Sequence, residues 1–155
     1  MQMARERTPL NGYVHIKAWE KMSDGSEKLI KDDTIKNLVV TVGKDAILKY
    51  ISNIAGGGYA DDIGVGDSTT AAAVGQTDLQ GTAVWKTIVT ADRVFLTPTL
   101  YLSTEFGYSE ANFTWNEMGL RDSQGTPVLW ARQIDASPLV KTTSKRAIVE
   151  WQLSM

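Results

Sequence analysis

The stretch IGVGDSTTAAAVGQTDL, residues 63–79, decides whether this chain reads as a phosphate-handling enzyme or as an assembly of strands. A phosphate-gripping loop of the Walker kind needs a lysine followed by serine or threonine. No lysine stands between Ile63 and Leu79. A dinucleotide loop needs a third glycine three residues after the second, at the mouth of a helix. Thr69 occupies that position, and the TAAAV that follows is brief and ends at Gly75. The residues therefore predict a strand closing at Ile63–Val65 and a turn at Gly66-Asp67-Ser68. There the Asp and Ser side chains can bond backbone two residues on.

Outward from this point, alternation dominates. In YVHIKAWE (13–20), Val14, Ile16 and Ala18 share one face, and Tyr13, His15, Lys17 and Trp19 the other. Asp24-Gly25 marks a turn, EKLIK a returning strand and NLVVT (37–41) another short run. VGKDAILKYISNIAGGG breaks the pattern. Ala46, Ile47, Tyr50, Ile51 and Ile54 follow helical spacing, which predicts a helix over 44–54 ended by glycines 56–58. AVWKTIVT (83–90) alternates again. RVFLTPTLYLSTEF (93–106) reads as one strand, at an edge or bulged at Pro98. FTWNEMGLRD and PVLWARQI, joined by the SQGT turn, read as a hairpin over 113–134, with Phe113 and Trp115 on one side and Met118 and Leu120 on the other. KRAIVEWQLSM points Ala147, Val149, Trp151 and Leu153 one way. The expected fold is all-β, a β-sandwich or barrel-like domain over residues 11–155 with one short helix, preceded by an N-terminal arm at residues 1–10.

Composition bounds the function. The chain has 155 residues, 43% hydrophobic and 22% charged, with a net charge of −2. That balance predicts neither a nucleic-acid nor a membrane partner. The cations at Arg5 and Arg7 and in Lys141–Arg146 read as a frayed terminus and a solvated turn. The absence of cysteine removes disulfides, thiolate nucleophiles and cysteine zinc sites. No apolar run reaches the length of a membrane helix, and MQMARERTPLNG lacks the apolar core of a secretory signal.

Few residues are placed for catalysis. His15 is the only histidine, so one chain offers no two-histidine metal site. As the base of a serine triad it lacks a G-x-S-x-G elbow, and it reads as an ordinary strand histidine. The acids Asp61, Asp62, Asp67, Glu105, Glu110, Glu117 and Asp122 fall mostly at turns or on outward strand faces, and none has calcium-loop spacing. Asp61-Asp62 is open to an oxygen-rich cation site, with a loop entry as the simpler reading. The best carboxylate pair for hydrolysis is Glu110 with Glu117. Trp85, Trp115, Trp130 and Trp151 fall in strands as core packing, while Trp19 sits on the less apolar face of its strand, open to an interface. No catalytic, cofactor-binding or metal-binding residue is assigned, and no cofactor is expected.

Four segments, in order, carry a resemblance. NLVVTVGKDAILKYI (37–51), IGVGDSTTAAAVGQTDL (63–79), EANFTWNEMGLRD (110–122) and SPLVKTTSKRAIVEWQLSM (137–155) resemble the strand-to-helix, glycine-threonine, hairpin and closing-strand segments of small tailed-bacteriophage virion structural proteins, often called tail-fibre-like. Together they span roughly three quarters of the chain. The resemblance implies a non-enzymatic virion component, made in the host bacterial cytoplasm and bound to other virion proteins. A tail-fibre or baseplate place is expected ahead of capsid decoration. Edge strands suit a homo-oligomer, with a trimer as the first expectation, and the 1–10 arm is expected to dock on an adjacent subunit. A different class, a module binding host surface glycans, would use Tyr101, Tyr108 or Trp19 as stacking platforms.

Overall fold

Among the described residues stand ten strands and one α-helix: β1 (Asn11–Lys21), β2 (Glu27–Lys36), β3 (Leu38–Val39), α1 (Thr41–Ile51), β4 (Asp62–Gly66), β5 (Ala83–Thr87), β6 (Arg93–Leu96), β7 (Thr99–Phe106), β8 (Thr114–Asp122), β9 (Val128–Val140) and β10 (Lys145–Ser154). The structure is a computed structural model and describes residues 10–52 and 58–154. Sheet A runs in the order β2-β1-β10-β7-β6 and sheet B in the order β3-β9-β8-β4-β5; every pairing is antiparallel. The fold is all-β and sandwich-like, as the alternation predicts.

The core forms where the two sheets press their apolar faces together. Val14, Ile16 and Ala18 of β1 and Ala147, Val149 and Trp151 of β10 are buried from sheet A. Ile63 and Val65 of β4, with Met118 and Leu120 of β8, meet them from sheet B. Phe106 and Trp115 stack edge to face, ring centres 5.1 Å apart, and the Trp115 indole N–H donates to Ala111 O at 2.8 Å. Such burial removes apolar area from water at roughly 25 cal/mol per Å².

Three expectations are corrected. The single strand expected over 93–106 is a hairpin: β6 and β7 pair from Leu96–Thr99 outward, and the cis Thr97-Pro98 step is the two-residue loop between them. Proline lacks the N–H a ladder needs, so it sits in the turn. Trp115 is not on the face opposite Met118 and Leu120. The register of β8 on β9 slips between Trp115 and Glu117, where Asn116 alone stands against residues 135–138, and that irregularity turns Trp115 back into the same core. The helix starts at Thr41, three residues earlier than expected, where Gly43 lies against the backbone of Trp130 with no room for a Cβ. It ends at Ser52, whose N–H bonds Leu48 O, and not on a glycine. Ala46 is buried and Ile47 half-buried, while Tyr50 faces solvent. Ile54 and glycines 56 and 57 lie outside the described residues, as does the expected arm apart from Leu10.

The β1–β2 and β8–β9 hairpins stand where the turns predict them, Gly25 taking the positive φ of 84° in the first. Trp115→Ala is expected to lower the unfolding free energy by about 3–5 kcal/mol in urea denaturation, because it opens a cavity between the sheets and removes the indole hydrogen bond to Ala111 O. A loss under about 1 kcal/mol would contradict its central place.

Candidate functional site

The glycines of the 63–66 segment find their reason on the outer face of sheet B. The register lines up Leu38, Arg132, Gly119, Gly64 and Trp85 across five strands. A Cβ at Gly64 or Gly119 would collide with the Trp85 indole, so the two glycines make a flat bed on which that ring lies. Gly66 does the same for the Glu117 side chain. The glycines admit side chains, and Gly66 is the last residue of β4, one beyond the strand end expected at Val65. After it, Ser68 Oγ accepts from Thr70 N at 3.1 Å, two residues on, while Asp67 Oδ1 accepts from Thr82 N at 2.8 Å across the loop.

Over this face lies a buried ion pair. Glu117 and Arg132 are both 0% exposed, their charged atoms 2.7 Å apart. Arg132 also donates to Gln76 Oε1 at 2.9 Å and to Thr70 O at 2.8 Å. Glu117 accepts from Gly81 N at 2.8 Å and from Gln80 N at 3.0 Å. Each charge thus holds the 67–82 segment by its backbone, which is how two charges become tolerable away from water. Beside them Arg121 binds Asp62 at 2.9 Å and lies 4.1 Å over Trp85, and Thr87 Oγ1 donates to Asp62 Oδ1 at 2.8 Å. Leu79 is buried against the bed.

The other sequence-singled residues are engaged in the same manner. Asp61 accepts from Ser123 N and Oγ at 2.6 and 3.0 Å, and Asp122 from Gln124 N at 2.8 Å. Glu110 binds Lys86 at 2.6 Å and Gly107 N at 2.6 Å, whereas Glu117 is sealed beneath the 67–82 segment. The structure does not bring that pair together as a hydrolytic couple. Lys141 corrects the expected solvated turn: it is buried, and its Nζ donates to Gly107 O, Glu110 O and Asn112 Oδ1. Burial pulls its pKa below the usual lysine value, with the Glu110 carboxylate opposing. Among the described residues no group of three His, Asp or Glu side chains is placed to hold a metal, and no helix is long and apolar enough to cross a membrane.

Sheet A carries an open outer face. Its rows read Lys36, Tyr13, Gln152, Tyr101 and Val94, then Thr34, His15, Glu150 and Ser103, then Asp32, Lys17, Ile148 and Glu105. His15 Nε2 is 2.6 Å from Asp32 Oδ1. Ser103 is two strands from His15, roughly 10 Å, outside triad reach. Trp19 lies beneath the Arg146 guanidinium, 4.3 Å away, and Arg146 binds Glu27 at 2.7 Å. Tyr108 gives its hydroxyl proton to the same Glu27. Six residues along β1, roughly 20 Å, separate Trp19 from the Tyr13–Tyr101 row. The aromatic candidates therefore fall in two places. At one end of the sandwich an apolar groove of about 190 Å³ is lined by Leu10, Ile47, Phe95, Leu100, Trp130 and Leu153. Trp130 Nε1 is buried and has no acceptor among the described residues.

Sequence reasoning missed the Glu117–Arg132 pair as a unit. Its one local signal was two charges within strands, each next to an apolar residue, Met118 and Ala131.

Arg132→Met is expected to cost about 3–5 kcal/mol, because it leaves Glu117 buried and unpaired. The Gln80 and Gly81 amides should then exchange with solvent faster than those of β10. Glu117→Leu added to Arg132→Met should cost less than the sum of the single changes. Glu27 is held down at about 2, first by its bonds from Arg146 and then by the Tyr108 hydroxyl. Its depressed pKa contributes stability above the ordinary carboxylate value of 4.5, lost as pH falls through about 2. NMR titration should show that low midpoint, and Arg146→Met should raise it. No family model, curated protein or solved structure matches the chain.

Proposed function

We propose that the chain is a structural subunit of a tailed-bacteriophage particle, tail-fibre or baseplate associated, working by protein–protein contacts. The observation that carries this reading is the asymmetry of the sandwich. Sheet B is covered by sheet A on one face and by the 67–82 segment on the other, while among the described residues nothing covers the outer face of sheet A. Such a body suits docking through one side. The four segments that resemble virion structural proteins coincide with β3–α1, β4 with its covering loop, β8 and β9–β10, the scaffold itself. The reading assigns no catalysis and no cofactor. Its partners are other virion proteins and like copies, and its place is the virion.

Capsid decoration is the nearest alternative, since the same one-sided body would fit a shell surface. A glycan-binding role rests on Tyr13 and Tyr101, which share the open face. An epitope-tagged chain should be found by immunogold negative stain on purified particles, clustered at the tail. Label spread over the head would favour decoration, and particles free of label would sink the virion assignment. Glycan-array binding lost on Tyr101→Ala would favour the third reading.

A further inference from the structure

Sheet A ends at β6, and that edge differs from the other three. β2 carries Glu27, Lys28, Lys31, Asp32, Asp33 and Lys36 along its length. β3 is two residues long, and β5 carries Lys86. Charges and short length are the usual guards against strand addition. β6 reads Arg-Val-Phe-Leu, and its one charge is turned inward: Arg93 donates to Ala60 O at 2.7 Å and Ile88 O at 3.1 Å. Val94, Phe95 and Leu96 are 44, 65 and 61% exposed, and the preceding Val89 58%.

The backbone is arranged in the same sense. A two-residue loop makes its flanking pair, Leu96 and Thr99, the hydrogen-bonded kind. Alternation gives Val94 its bonds to Tyr101 and turns the N–H and C=O of Phe95 away from β7. No strand covers that side among the described residues.

We propose that β6 is a homotypic docking edge, at which two copies pair antiparallel about a two-fold axis at Phe95 and join their A sheets into one. Phe95 of each copy then bonds Phe95 of the other through both backbone groups. Val94 lies opposite Leu96 of the second copy on each side of the axis. Every directly opposed pair is apolar, so identical edges meet without like-charge repulsion. A charged edge such as β2 does not have that property. The symmetry is two-fold, in place of the three-fold expected from the sequence. The apolar cover is on the order of a few hundred Å² per copy, under the roughly 800 Å² per partner of a standard stable complex. Pairing is therefore weak in dilute solution and strengthened where many copies are held together. The inference rests on the assembling-subunit reading and names the surface by which like copies meet.

Sedimentation velocity on the full chain, from about 10 μM to about 1 mM, should show a growing dimer fraction. Phe95→Lys and Phe95→Glu should each weaken association at least about tenfold with the circular-dichroism spectrum unchanged, and an equimolar mixture of the two should recover it. Because the chain has no cysteine, Phe95→Cys should give a disulfide-linked dimer on mild oxidation, the paired Cα atoms lying about 5.5 Å apart, while Ile30→Cys on the β2 edge should not. The proposal is overturned by a strict monomer at about 1 mM, by association that survives Phe95→Lys, or by cross-linking equal at Ile30 and Phe95. A monomer whose tagged form still sits on particles removes the edge pairing alone. A dimer absent from particles removes the virion assignment alone.

Discussion

A carboxylate and a guanidinium that water never reaches organise one half of this molecule. Glu117 and Arg132 stand on neighbouring strands of sheet B, and their remaining hydrogen-bonding capacity goes to the chain that passes over them. Neither charge would be tolerable without the other, and neither would be satisfied without the 67–82 segment. A sixteen-residue connection with no strand or helix of its own is thereby tied to the sheet beneath it. The glycine bed under Trp85 is the steric half of the same arrangement, since side chains at Gly64 and Gly119 would lift the indole and the segment with it.

Closing sheet B on both faces shapes what remains. The buried and half-buried charges Asp61, Asp62, Glu110, Glu117, Arg121, Arg132 and Lys141 each satisfy a loop or a neighbouring strand. Surface for other molecules is then concentrated on sheet A, as the tyrosine row, the Trp19–Arg146–Glu27–Tyr108 cluster and the uncharged β6 edge. In the proposed virion role these have distinct uses: a face for unlike neighbours and an edge for like copies. An edge contact too small to hold two molecules in dilute solution is an advantage in a particle part, because assembly then waits for high local concentration.

Much of the fold was legible because its signal is local. Val14, Ile16 and Ala18, and Ala147, Val149, Trp151 and Leu153, alternate cleanly, and all are buried. Reading failed where one residue changes the phase. The slip near Asn116 returned Trp115 to the core, and Pro98 turned an apparent fourteen-residue strand into a hairpin whose first arm is the free edge. The apolar alternation of 93–96 is real, but Val94 and Leu96 stay 44 and 61% exposed. Periodicity reports which residues share a face and is silent on whether that face is covered.

The carboxylates show the same division from the side of chemistry. Glu110 and Glu117 were the best carboxylate pair the sequence offered, yet one pairs with Lys86 near the surface and the other lies beneath a loop. By itself the sequence determined the all-β class, the turns at Asp24-Gly25 and SQGT, the presence of a helix after the NLVVT run and the exclusion of thiol chemistry, all consequences of residue type and short-range spacing. The tertiary structure decided the partner of each charge, the purpose of the glycines and which of four sheet edges lacks charged or short-strand guards. Those depend on strands 15 to 60 residues apart coming side by side, a relation that local spacing does not encode.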